Sequence, residues 1–211
     1  MAGPRGCPAA DQATFLDTKL KPALDDAQAG RGHVFFVDAA HFVFGTFLCC
    51  LWSFARLFVR AASGRQRFHV LGAWNAVTRT LVAVTNTTVV NTETMCELLR
   101  QIAALGLTGP ITLVLDNARY QRNAVVLALA AQLGITLLFL PSYSPHLNRI
   151  ERLWKFTKCR SLYGRYHPTF ADFRAAIEQT LADIPTQHAT DLASLMTLNF
   201  QRFENVSLMP A

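Results

Sequence analysis

Residues 135–160, ITLLFLPSYSPHLNRIERLWKFTKCR, read as a buried strand from Ile135 to Leu140, a loop held open by Pro141 and Pro145, and a helix starting near Asn148. Branched and aromatic residues suit the strand, and the prolines remove backbone donors from the loop. The break between them delivers one carboxylate, Glu151, to a fixed point at the start of the helix. Two other stretches also deliver an acid: VFFVDAAHF sets Asp38 inside an apolar strand, and ITLVLDNAR sets Asp116 at the exit of another. Burying an unpaired carboxylate costs several kcal/mol, so acids in such runs call for a partner or a metal.

Working outward, His33 to Ala39 is apolar on both faces and predicts a central strand. Arg67 to Trp74 and Arg79 to Thr85, joined by Asn75-Ala76-Val77-Thr78, predict a hairpin that extends the Asp38 strand antiparallel. Asn91 to Leu105 predicts a helix capped by Asn91 or Thr92, ended by Gly106, with Met95, Leu98, Leu99, Ile102 and Leu105 along one face. Then come a strand at Ile111 to Leu115, a helix from Arg119 to Leu133, the Ile135 strand, the Asn148 helix and a last helix from Thr169 to Ile184. Strands alternating with helices imply parallel pairing and right-handed crossovers. The order is that of a ribonuclease-H-like fold: α/β, a mixed sheet flanked by helices. Its first and fourth strands are neighbours, which brings Asp38 beside Asp116, with Glu151 on the helix after the fifth. The expected organisation is a linker over 1–32, a catalytic domain over 33–185, and a C-terminal helix and tail over 186–211.

The chain has 211 residues, 51% of them hydrophobic, and a net charge of +6. That length supports one core, and the modest basic excess favours a polyanionic partner. The uncharged stretch Phe42 to Ala55 is fourteen residues long, short of the roughly 20 that span a bilayer. Five cysteines without C-x-x-C spacing predict reduced thiols and no structural zinc site. The N-terminus has no apolar signal core, so the expected location is cytoplasmic, with no membrane contact.

FVDAAHF, RFHVLGAWN, LVLDNARYQ and above all LPSYSPHLNRIERLWKFTK resemble the DDE endonuclease domain of bacterial insertion-sequence transposases, the IS-six-thirty and Tc/mariner superfamily. Asp116 and Glu151 have thirty-four residues between them, the spacing of that family's second and third acids. The resemblance implies Asp38, Asp116 and Glu151 as catalytic and metal-binding acids, with Asn117 and Asn148 orienting them. It implies two Mg²⁺ ions, replaceable by Mn²⁺, and cleavage of DNA at element ends followed by strand transfer into target DNA. The implied partners are duplex DNA, a second copy of the chain on that DNA, and a helix-turn-helix portion supplied separately, as in a split reading frame or a truncated copy. The chain departs from the family pattern at Gln121, where histidine is common, at His146, where an acid is usual, and at Arg149, where proline is usual.

Other readings stand beside these. Glu151 is also the third residue after a capping Asn148, the position of a capping box, and Asp116-Asn117 also suits a plain turn. Arg152, Lys155 and Lys158 share a helix side with Glu151, and with Arg56, Arg60, Arg65 and Arg67 they are candidate DNA-phosphate contacts. They could equally be a solvated face carrying a Glu151–Lys155 pair. His41 and His146 are candidate metal or phosphate contacts. At the level of function, a structure-specific nuclease of the same fold and a catalytically inactive DNA-binding remnant remain open.

Overall fold

The computed structural model of the chain describes residues 9–45, 65–142 and 144–200. Strands β1 (His33–Val43), β2 (Arg67–Asn75), β3 (Leu81–Asn86), β4 (Ile111–Leu115) and β5 (Ile135–Phe139) form one sheet in the order β3-β2-β1-β4-β5. β1 runs antiparallel to β2 and parallel to β4; β2 and β3 are antiparallel, β4 and β5 parallel. This is the mixed, helix-flanked α/β sheet that the element order predicts, with β1 at its centre.

The helices are α1 (Ala9–Phe15), continued by a π-helical turn at Leu16–Leu20 into α2 (Lys21–Gln28), then α3 (Thr92–Ala104), α4 (Ala124–Gln132), α5 (Ile150–Ser161), α6 (Phe170–Ala182) and α7 (Ala189–Leu195). Alternate β1 side chains serve opposite faces. Phe36, Ala40 and Phe42 join Trp154, Leu153, Phe173 and Ile177 in one core. Phe35 and Val37 join Leu71, Met95, Leu98, Leu99, Ile102 and Val126 in the other. Four fully buried α3 side chains, each worth about 1.5–3 kcal/mol, hold that helix to the sheet. The stretch 9–28, within the expected linker, buries Leu16, Leu20, Leu24 and Ala27 in the first core.

Several boundaries differ from expectation for local reasons. β1 continues past Ala39 to Val43 because β2 supplies partners as far as Arg67. α4 starts at Ala124, not Arg119, because Asn123 Oδ1 accepts the Val125 N–H at 2.9 Å and caps the helix there. α3 carries an Asn91–Thr94 capping box and is followed by Gly106 at φ 62°, as its sequence signals imply, but Leu105 is 48% exposed and leaves the buried face. Among the described residues no helix is long and apolar enough to cross a membrane.

Candidate active site

Asp38 lies in the middle of β1, on the face that packs against α5. Its strand neighbour on one side is Gly72 of β2. On the other side the parallel register Phe36↔Val114, continued by two residues, brings Asp116 alongside. Asp116 follows the last residue of β4 and is exposed; its Oδ1 accepts the Ala118 N–H at 3.3 Å. Glu151 is the second residue of α5 and is also exposed. The three acids come from a central strand, a strand end and a helix start, and they line one cleft of about 340 Å³ together with Asn117, Leu140, Pro141, Ser144 and Asn148.

Their charges act on one another. Burial, with added repulsion from Asp116 and Glu151, raises the Asp38 carboxyl to about 7; the Ala39 N–H and the Trp154 indole N–H oppose that rise. Trp154 Nε1 donates to Asp38 Oδ2 at 3.1 Å. Burial and then the charge of Asp116 raise Glu151 above the usual carboxylate range. Tyr120, which no sequence signal singled out, is pushed up by burial and by the charges of Asp116 and Asp38.

Asn148 corrects the capping reading. Its Nδ2 donates to the Val37 carbonyl at 3.0 Å, tying the loop before α5 to β1 one residue from Asp38. The helix begins at Ile150, the N-cap is Arg149, and no side chain caps it. Glu151 is therefore not the third residue of a capping box, and it forms no ion pair with Lys155. Asn117 spans a gap of its own: Nδ2 donates to the Leu140 carbonyl at 2.6 Å, and Oδ1 accepts from Arg122, whose guanidinium lies 4.6 Å from the Phe139 ring centroid.

The donor set at the cleft is all oxygen, which suits a hard divalent cation such as Mg²⁺ or Mn²⁺. Asn148 Oδ1, in the cleft wall, is buried with no hydrogen-bond partner, an acceptor placed for a water carried by such an ion. As the side chains stand, no three His, Cys, Asp or Glu among the described residues are close enough to hold one ion together. Asp38, Asp116 and Glu151 supply the cleft's carboxylate oxygens.

The basic residues scatter more widely than their sequence positions imply. Lys155 is exposed beside Glu151; Lys158 is half-buried, with Nζ 5.8 Å from the Phe42 ring centroid. Arg152 does not project with them: its Nη1 donates to the Leu195 carbonyl at 3.0 Å and braces α7. Arg65 and Arg67 are exposed at the start of β2, and Arg56 and Arg60 lie outside the described residues. Arg149 is buried, stacks 4.1 Å from the Phe200 ring centroid and donates to the Asn199 carbonyl. His146 sits in a 3-10 turn, its imidazole depressed by burial and by Arg149.

Residues 55–174 match the family model described as DDE superfamily endonuclease. The match takes in Asp116 and Glu151, and Asp38 precedes it. No curated protein matches the chain. Among solved structures, the Mos1 transposase paired-end complex with left transposon end is similar at a TM-score of 0.65 and 13% identity, over 95% of this chain and 68% of that one. The Mos1 mariner paired-end complex with Mn has a TM-score of 0.63 and 12% identity over 93% and 63%. The Mos1 transposase catalytic domain with Raltegravir and Mg has a TM-score of 0.60 and 11% identity over 95% and 100%. The chain thus spans about two thirds of the longer transposase chains and the whole of the isolated catalytic domain.

Proposed function

We propose that this chain, which belongs to the DDE superfamily endonuclease family, is a transposase catalytic domain that cleaves DNA at the ends of a mobile element and joins the freed end to target DNA. The observation that carries the reading is the meeting of Asp38, Asp116 and Glu151, from three separate elements, in one cleft where each of the raised acids feels another's charge. The fold it shares with Mos1 transposase structures, among them DNA complexes and Mg- and Mn-containing catalytic domains, supports it.

Asp38, Asp116 and Glu151, which line one cleft, would hold the metal ions. Once bound there, a pair of Mg²⁺ ions supplies an activated water, neutralises charge on the phosphorane and stabilises the leaving oxygen. The protein's part is placement. Trp154 fixes the Asp38 carboxylate, Asn148 fixes the loop before Glu151, and Asn117 fixes the exit of β4. In the first step a water oxygen bonds to phosphorus and the 3′-oxygen leaves, taking a proton; in the second the oxygen of that 3′-hydroxyl bonds to a target phosphorus in line as the target strand's 3′-oxygen leaves, taking up a proton to replace the one the hydroxyl gave up. Duplex DNA is the partner, and a homodimer on that DNA and a helix-turn-helix portion for end recognition complete the reading.

The test is incubation of the chain with labelled element-end duplex and target DNA, with and without a helix-turn-helix portion. Mg²⁺- or Mn²⁺-dependent strand cleavage lost in Asp38→Asn, Asp116→Asn and Glu151→Gln is expected, with joined products. Cutting without joining would favour a structure-specific nuclease; cleavage undiminished in chelator would sink the metal mechanism.

A further inference from the structure

β1 does not stop at Asp38. Over its extension to Val43 the partners on β2 are His69 for His41 and Arg67 for Val43. Opposed residues, and residues two apart on a strand, share a face, so His41, Val43, Arg67 and His69 form one patch on the side of the sheet away from Trp154. At about 3.3 Å per residue, His41 lies roughly 10 Å past Asp38 along the strand. The acid cleft does not include this patch.

The two imidazoles touch there. Nδ1 of His41 is 2.5 Å from Nδ1 of His69, with the ring planes at 76°, a separation that requires one proton between the nitrogens. His69 is buried, and a hydrogen bond to the Thr88 backbone favours its protonated form, so its other nitrogen donates to the Thr88 carbonyl. His69 Nδ1 is then the acceptor and His41 Nδ1 the donor, which leaves exposed His41 with a lone pair on Nε2. The groups around it are cationic or neutral. After burial, Arg67 of β2 and Lys158 of α5 depress His41, and His41 and Arg67 depress His69. Asn86 of β3, opposite His69, is neutral. Among the described residues neither Arg67 nor Lys158 has an ion-pair partner. The patch is a cation cluster without a counter-charge, containing one imidazole that can still accept a proton.

We infer that His41, with Arg67, binds a backbone phosphate of duplex DNA beyond the acid cleft, and that binding is coupled to uptake of one proton at His41 Nε2. The inference rests on DNA being the substrate of the acid site. A neutral His41 turns a lone pair toward a phosphate oxygen, whereas a protonated one donates a charge-assisted hydrogen bond. The phosphate offsets Arg67, whose charge adds to burial in holding His41 down, while His69, anchored on Thr88, keeps the ring in place. By linkage, affinity is level below the free His41 pKa, which lies under the ordinary 6.5. It then falls by up to about tenfold per pH unit until the raised pKa of the bound form is reached.

The experiment measures duplex binding by fluorescence anisotropy, in chelator, at pH values on both sides of about 6.5, for the wild-type chain and His41→Gln. Titration of Asp38 and Glu151 is common to both proteins and cancels in the comparison. The wild type should lose up to about tenfold more affinity per pH unit than the variant. In the wild type, the NMR titration midpoint of His41 should move up when duplex is added. Parallel affinity profiles with an unmoved midpoint overturn this inference and leave the acid site's reading intact. A midpoint moved by inorganic phosphate and not by duplex overturns the DNA assignment. Absence of duplex binding by both proteins at every pH overturns the nucleic-acid reading of the acid site and this inference with it.

Discussion

Trp154 and Asp38 are joined by an indole N–H to carboxylate hydrogen bond of 3.1 Å across the interface of α5 and β1. Trp154 lies three residues after Glu151, on a neighbouring helix position. One helix therefore presents the third acid and also holds the first. Shifting α5 along the sheet would move both at once, so the spacing between Asp38 and Glu151 depends on how Trp154 seats.

Trp154→Phe keeps most of the packing and deletes the donor. Because that N–H holds the Asp38 carboxyl down, its loss should push the carboxyl further up. The acid limb of a cleavage pH profile should move to higher pH, and stability should drop by about 1 kcal/mol. An unchanged profile would show that the bond does not set the state of Asp38.

Gly72, the cross-strand partner of Asp38, is there because Trp154 lies over it. A Cβ at Gly72 would stand 2.6 Å from Trp154 Cη2 and 3.2 Å from Leu81 Cδ1. Gly72→Ala should cost about 1–3 kcal/mol in urea melts. Combined with Trp154→Leu, the same change should cost far less, and a double-mutant cycle with no coupling would contradict the contact.

Asp38 also makes stability depend on pH. Its carboxyl titrates near 7 when folded against an ordinary 3.8, so the folded state binds the proton more tightly. The stabilisation is complete below about 3.8 and is lost as pH rises through about 7. In chelator the wild type should weaken over that window by a few kcal/mol on the order-of-magnitude scale, and Asp38→Asn should not. Above the window Mg²⁺ should raise the wild-type Tm and leave the variant's unchanged; equal responses would remove Asp38 from the ion's ligands.

Arg149→Ala removes the stacking on Phe200 and the donor to the Asn199 carbonyl. Backbone amides near residues 196–200 should exchange faster in hydrogen-exchange mass spectrometry, with a global loss of about 1–3 kcal/mol. Protection unchanged in that segment would mean that the guanidinium does not hold it.

Lys155→Ala should weaken duplex binding without altering sequence preference and make the slope of log K against log salt shallower by about 1. Arg152→Ala should change that slope less, because Arg152 is occupied with the Leu195 carbonyl. Equal slope changes would restore Arg152 to the phosphate path.

What the sequence made legible follows from local signals. The sheet order came from element alternation, and Asp38 stood out because its neighbours Phe36 and Val37 are fully buried types that give a carboxylate no company. Contacts between distant elements were illegible. Trp154 reads as core by helical spacing, and nothing local says that its N–H points at Asp38. Gly72 looks like an ordinary strand glycine until the indole is placed over it. Asn148 suits a cap in every local respect, yet its amide finds the Val37 carbonyl, 111 residues away, and that bond competed successfully with the helix end. Arg152 follows the helical period of a basic face, but α7, far along the chain, supplies a carbonyl that turns it aside.

The parallel ladder of β1 and β4, which pairs His33 with Ile111, has a consequence for folding order. The β1-β2-β3 meander closes through nearer neighbours, whereas β4 must be brought alongside β1 across the whole stretch from 44 to 110, a closure whose entropy is lost before its contacts form. Until that docking, Asp38 and Asp116 are carried on segments that do not meet. A chain in which β4 has not yet docked therefore lacks the single cleft in which Asp38 and Asp116 meet: the strands can be formed while the site is not.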